Sequence, residues 1–215
     1  SRASVQAAYE QGLVPLGLDM ETVESVNWQL NKGNLLYLTE QESQMIAFVN
    51  QIRRGMQRVI ILAPTYHNLN EQENVILANG SQKVSELLED IEKRITIRTK
   101  ERKNQHEATV IIYQMTELMT ELDSVDQGRL AFVLEKGLRA GYASIAMTSP
   151  NIIRSIDVAS KIARGFKQSL VAMRISEQTV FSSLNNRPIR EGNLDLQTHY
   201  YILDNTVHKI KVLMK

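Results

Sequence analysis

The stretch "NLLYLTEQESQMIAFV", residues 34–49, runs from an apolar segment ending at Leu38 through a short polar turn into an apolar-periodic segment that starts at Met45. Strand, loop, helix is the layout of a nucleotide-binding P-loop. That motif also needs glycines for close backbone approach, a lysine for the phosphates and a hydroxyl for magnesium. Counted from Leu38, the first glycine slot holds Thr39, the second Gln44, the lysine slot Met45 and the hydroxyl slot Ile46. All four functional types are replaced, so only the layout matches.

The same residues fit a helix start. Thr39-Glu40-Gln41-Glu42 has the spacing of a capping box, a threonine N-cap with a glutamate three residues on. A helix N-terminus attracts anions, and Glu40 and Glu42 already place two carboxylates there. The expectation is that they stand where a phosphate would, and repel one. The companion half of a P-loop site is an apolar strand ending in an acid that helps hold magnesium. "ATVIIYQMTEL" supplies the strand but ends in Tyr113-Gln114, with Glu117 on the following turn.

Outward from this stretch, apolar runs of strand length recur at Asn34–Leu38, Arg58–Ala63, Thr109–Tyr113, Ala143–Thr148 and Ser169–Ile175. Helical spacing between them predicts helices over Glu40–Gly55, around Val84–Ile95 with Ser81 as N-cap, from Asp126 to Leu138 closed by Gly141, and over Asn151–Gly165. This alternation predicts an α/β fold with a mostly parallel central sheet flanked by helices. His199–Leu203, Asp204-Asn205 and Thr206–Val212 predict a terminal β-hairpin in which His208 pairs with Tyr201. No repeat, linker or low-complexity tract divides residues 1–215, which read as one module.

Composition narrows the function. A net charge of +1 gives no electrostatic footprint for nucleic acid or an anionic membrane. There is no cysteine, so disulfides and thiolate metal sites are excluded. No apolar run approaches the roughly 20 residues that span a bilayer, and no secretory signal pattern opens the sequence. His67, His106, His199 and His208 lack metal-ligand spacing and read as polar edge residues. Asp123 and Asp126 read as helix-start capping residues. Met115, Met119, Met147 and Met173 are candidates for an adaptable binding surface, set against the commoner role of filling a core, with Met115 and Met119 expected half exposed. No nucleophile elbow or Cys–His pair is present. Arg187 and Arg190, in "NNRPIREG", are candidates for an inter-module contact of arginine-finger type, set against a plain loop shaped by Pro188 and Gly192.

The ordered set "VPLGLD" (residues 14–19), "TVESVNWQLNKGNLLYL", the loop, "TVIIYQMTEL", "RAGYASIAMTSP", "FKQSLVAMRISEQTVF" and "NNRPIREGNLD" resembles ATPase modules of the FtsK/SpoIIIE type. It is most similar to the C-terminal module of the type VII secretion membrane ATPases of EssC/EccC type, from about residue 10 to the end. The resemblance implies a RecA-like P-loop fold in a tandem, multi-domain, membrane-anchored chain on the cytoplasmic side of the cell membrane. Where active relatives carry a polar turn that senses the γ-phosphate, this sequence has Thr148-Ser149-Pro150. The family pattern therefore implies a degenerate, pseudo-ATPase module. Its partners would be secreted WXG100-type proteins and neighbouring ATPase modules, within an oligomer of the full-length protein, and not nucleic acid. No cofactor is expected, and ATP with magnesium enters only if the degenerate loop keeps its backbone cradle. The competing reading is a module that still binds or slowly hydrolyses ATP within a tandem or ring assembly.

Overall fold

Every residue of Leu35–Leu38, Val59–Ala63, Ala108–Ile112 and Tyr142–Thr148 is buried. Strands apolar on both faces can only sit inside a sheet covered by helices on both sides. The computed structural model describes residues 11–56, 58–70, 75–184, 191–192 and 194–213. In it the chain runs β1 (Leu13–Asp19), β2 (Ser25–Gln29), β3 (Leu35–Leu38), α1 (Glu42–Gly55), β4 (Val59–Ala63), β5 (Val75–Asn79) and α2 (Ser81–Lys100). It continues through β6 (Ala108–Ile112), α3 (Met115–Glu121), α4 (Ser124–Lys136), β7 (Tyr142–Thr148), α5 (Val158–Arg164), β8 (Gln168–Val171), β9 (Thr198–Leu203) and β10 (Thr206–Val212).

All these strands form one sheet in the order β2-β1-β10-β9-β8-β3-β7-β6-β4-β5. From β8 to β5 the pairing is parallel, and from β8 back to β2 it is antiparallel. Met45, Phe48, Val49 and Ile52 of α1 pack on one face with Leu35, Tyr37 and Ile145. The opposite face is covered by α2 through Val84, Leu88, Ile91 and Ile95, with Met115, Leu118, Leu130, Ala159 and Ala163 from α3, α4 and α5. The chain therefore leaves neighbouring strands β3 and β7 toward opposite faces. Such a switch point opens a crevice at the carboxyl ends of the strands, where α/β proteins place their ligands.

The mostly parallel sheet flanked by helices and the closing hairpin are as the sequence predicts. Asp204 and Asn205 both take positive φ, 47° and 64°, the geometry of a two-residue hairpin turn, and His208 does face Tyr201. The N-cap of α4 is Asp123, whose carboxylate accepts from the N–H groups of Val125 and Asp126; Asp126 itself pairs with Arg129.

Other expectations are corrected. Helix α1 begins at Glu42, not Glu40, and α2 is capped by Gly80 at φ 78°, with Ser81 as its first residue. The span Asn151–Gly165 breaks into a 3-10 turn, Pro150–Arg154, and the short α5, because Asp157 caps a fresh start by accepting from Ser160 N. Strand β8 ends at Val171, and Ile175 opens a 3-10 turn. Met115 and Met119 are buried, not half exposed, because α3 lays them on the sheet. His199 is no edge residue. It is fully buried, stacks on Tyr37 with ring planes 6° apart and shares a 3.0 Å hydrogen bond with the Tyr37 hydroxyl.

Candidate functional site

The crevice at the ends of β3, β6 and β7 is filled by the chain's own side chains. Thr39 is still held in the ladder, its N–H donating to Thr148 O at 3.0 Å. Its hydroxyl accepts from Gln41 N at 3.1 Å and donates to Gln44 Oε1 at 2.5 Å. Gln44 in turn donates from Nε2 to Leu196 O at 3.3 Å. Both residues are buried, so the two glycine slots clasp each other across the loop that a phosphate cradle would leave open. Met45, in the lysine slot, points into the core beside Phe48 and Val49, and Ile46 packs half-buried against the same cluster.

No capping box forms. The strand geometry persists through Thr39, the helix cannot begin before Glu42, and Gln41 is an N-cap without a side-chain bond. Glu42 turns instead toward β6 and the loop after β4. Its carboxylate accepts from the Tyr113 hydroxyl at 3.0 Å, from Asn68 N at 3.2 Å and from Asn68 Nδ2 at 2.6 Å. A buried tyrosine hydroxyl needs such an acceptor. Desolvation pushes the Glu42 carboxyl up, but the bonds from Asn68 and Tyr113 outweigh it and hold the group below the usual carboxylate range. The Tyr113 hydroxyl is raised well above its ordinary value by burial, reinforced by Glu42. Tyr113 thus remains a neutral donor and Glu42 a fixed anion.

The structure brings Thr39, Gln44, Glu42 and Tyr113 to one end of the sheet and turns Met45 away from it. Gln114 follows at φ 46° as the N-cap of α3, its carbonyl accepting from Leu118 N. Beyond it the Thr116 and Thr148 hydroxyls meet at 2.7 Å, tying the residue that ends β7 to α3. Arg187 and Arg190 lie outside the described residues. Asn68 and Thr116 went unread in the sequence, because nothing local marks a side chain whose partner is far along the chain. No group of three candidate metal ligands occurs among the described residues.

Beside the clasp a cleft of about 630 Å³ opens toward the end of β8. Thr39, Gln41 and Gln44 border it on one side, Ala172, Met173 and Arg174 on another, and Leu194–Leu196 on the third. Its charged groups are Glu40, Arg174, Glu177 and Asp195. Arg174 lies 3.8 Å from Glu177, and Asp195 pairs with Lys211. Lys211 and the Thr198 hydroxyl hold the Asp195 carboxyl well below the usual range. Carboxylates outnumber cations around the cleft, an unfavourable setting for a polyphosphate.

A central parallel sheet of this order, covered on both faces and with a switch point beside β3, defines a RecA-like ATPase fold. Among solved structures it is similar to EssC (ATPases 2 and 3) from Geobacillus thermodenitrificans, at 16% identity and a TM-score of 0.81, over 94% of this chain and 41% of that one. The cytoplasmic domain of EssC matches at 17% identity and a TM-score of 0.77, over 99% of this chain and 46% of that one. Thermomonospora curvata EccC (ATPases 2 and 3), solved in complex with a signal sequence peptide, matches at 15% identity and a TM-score of 0.69, over 99% and 42%. The chain spans less than half the length of each. No protein-family model and no curated protein matches the sequence. At these identities the likeness establishes the fold, that of the ATPase domains of type VII secretion.

Proposed function

We propose that this chain is a nucleotide-silent ATPase module of a type VII protein secretion motor, which docks secreted proteins or regulates neighbouring ATPase modules. The observation that carries the reading is the clasp of Thr39 with Gln44, backed by the Glu42 carboxylate bound to Tyr113 and Asn68. A phosphate entering here would have to break a buried hydrogen bond and approach a fixed anion, with Met45 where a cation is needed. Such a module contributes by binding.

The fold of EssC and EccC supports placing it in a secretion motor, at the cytoplasmic side of the membrane and next to further ATPase modules. No helix among the described residues is long and apolar enough to cross a membrane. The signal sequence peptide on the EccC structure supports a secreted protein as the class of partner, and the resemblance of the sequence to type VII secretion ATPases makes WXG100-type proteins the proposed kind. Nucleic acid is not proposed, because a net charge of +1 gives that reading no support.

Calorimetric titration with Mg-ATP tests the reading, with an intact ATPase module as positive control. The expected result is no heat and no change in melting temperature at millimolar nucleotide. Binding at micromolar Kd would overturn it.

A further inference from the structure

A net charge of +1 conceals a separation of charge along the strand direction. Strands β4, β6, β7 and β8 run parallel, and each is entered from the end of a helix or 3-10 turn, so those helix ends gather at the amino end of the sheet. Their last turns carry Arg53 and Arg54 on α1, Arg98 and Lys100 on α2, and Arg139 just before β7. Arg102 and Lys167 stand in the connections beyond α2 and α5. The opposite end has the opposite sign. Glu40 and Glu42 follow β3, Glu117 and Glu121 lie on α3 directly after β6, and Glu177 follows β8.

Neither end is neutralised by its own surroundings. At the amino end Glu107 is divided between Arg58 at 2.9 Å and Arg98 at 3.0 Å. Among the described residues Arg53, Arg54, Lys100, Arg102, Arg139 and Lys167 form no ion pair. Arg53 shows what this crowding does: its Nε is buried without a partner, and burial, then the charge of Arg54, push its guanidinium below the ordinary value. At the carboxyl end Glu40, Glu42, Glu117 and Glu121 form no ion pair among the described residues either. The cations beside the cleft, Arg174 and Lys211, are already engaged with Glu177 and Asp195. Helix macrodipoles favour a cation in each last turn. They do not call for Arg102 and Lys167 in the connections, nor for two adjacent arginines that repel each other.

Unlike charges at opposite ends of one sheet cannot pair within the molecule, but they can pair between molecules. An anionic polymer or lipid surface would match the basic end alone and leave the acidic end unmet. A second copy laid end to end satisfies both. Such a contact is heterologous, because two different patches of the same chain meet, and the complementary potentials orient the approach. We infer that this module associates end to end with a second copy of itself, the basic amino end of one sheet seated over the acidic carboxyl end of the next. The inference goes beyond the silent-crevice reading and stands or falls apart from it.

The test is sedimentation velocity of the full chain without nucleotide, over about 5–200 µM protein, at about 20 mM and about 500 mM salt. At low salt the sedimentation coefficient rises with concentration, and at high salt it stays at the monomer value. Two charge-reversed variants locate the contact. One carries Arg54→Glu, Lys100→Glu and Arg102→Glu, the other Glu40→Lys, Glu117→Lys and Glu177→Lys. All six positions are exposed, so both variants melt near the wild type. Each variant alone weakens self-association by at least about tenfold, because its two ends now carry one sign. Mixed in equal amounts at low salt they associate again, since the untouched acidic end of the first meets the untouched basic end of the second. A contact between like ends gives no such rescue. A wild type that stays monomeric at low salt, association that resists high salt, single variants that associate like the wild type, or a mixture that fails to associate would each overturn the inference. Binding to anionic vesicles or a DNA duplex without self-association would overturn it as well, and would assign the basic end to that partner.

Discussion

Thr39 and Gln44 are the residues on which nucleotide silence turns, and their burial decides the energetics. Leaving one partner of a buried hydrogen bond unsatisfied costs about 1–3 kcal/mol, so a phosphate must do more than fill a gap. Glu42 adds a charge term, because like charges in a partly desolvated crevice repel far more strongly than in water. The two obstacles separate by mutation. Thr39→Gly, Gln44→Gly and Met45→Lys together restore the residue types a phosphate needs, and adding Glu42→Gln removes the resident anion. The fourfold variant is expected to bind Mg-ATP at least ~10-fold more tightly than the threefold one, a difference of about 1.4 kcal/mol. Met45→Lys places an amine among core residues, so the comparison is made between variants that share it, with melting temperatures recorded for both. If adding Glu42→Gln brings no gain in affinity, the carboxylate is not the obstacle. The four replaced slots were countable in the sequence. What Glu42 does was not, since its partners lie 26 and 71 residues away and no local period marks them.

Elements carry their own accounts. The four residues of β3 alternate between the two cores, Leu35 and Tyr37 to one face and Leu36 and Leu38 to the other. That is why a short, unbroken apolar run was legible as an interior parallel strand. Strands β1 and β2 escaped notice because Pro15 and Gly17 interrupt the first and polar residues the second. The register between them slips between Pro15 and Gly17, an irregularity that sequence alternation does not encode. Strand β5 is an edge strand and only partly buried, so its pattern is diluted by exposure. Gly17 has a packing reason to lack a side chain: a Cβ there would sit 2.2 Å from the Lys211 carbonyl oxygen. Gly17→Ala must therefore push β10 away from β1, and a loss of about 1–3 kcal/mol in urea unfolding is expected. An unchanged urea midpoint would show that β1 is not held against β10. At α4 the load rests on Asp123, which accepts two backbone N–H bonds at 2.9 Å. Asp123→Ala is expected to cost about 1 kcal/mol, or roughly 2–4 °C in Tm for a chain of this size. Asp123→Asn should recover most of it.

The whole molecule joins a parallel half, which builds the crevice, to an antiparallel half that runs from β9 out to β2. Two buried polar contacts reach across that join. In the shorter, the Tyr201 hydroxyl on β9 donates to Gln168 Oε1 on β8 at 2.8 Å; the second spans further. His199 on β9 meets Tyr37 on β3 over the intervening β8, and both are inside the core beneath α1. Desolvation drives the His199 imidazole down to about 4, with nearby backbone of Gln197 and Thr198 and the Asp195 carboxylate offsetting only part of it. The direction fixes the pH dependence of the fold. In the unfolded chain the ring takes up a proton as pH falls below about 6.5, while the folded chain refuses it until about 4. Below 6.5 the unfolded state therefore binds more protons, and stability falls with pH, by up to about 1.4 kcal/mol per unit for this group. Its contribution is fully present above about pH 6.5 and is lost progressively down to about pH 4. His106, also lowered by desolvation, adds to the same slope, so the His199 share has to be isolated by substitution. His199→Gln keeps a polar partner for the Tyr37 hydroxyl and removes the titration. Urea unfolding of wild type and variant at pH 7.5, 6.5, 5.5 and 4.5 is expected to show a steep decline in the wild type and a clearly shallower one in the variant. Parallel declines would mean that His199 titrates freely in the folded state, and that the two halves of the sheet are not joined through a neutral imidazole.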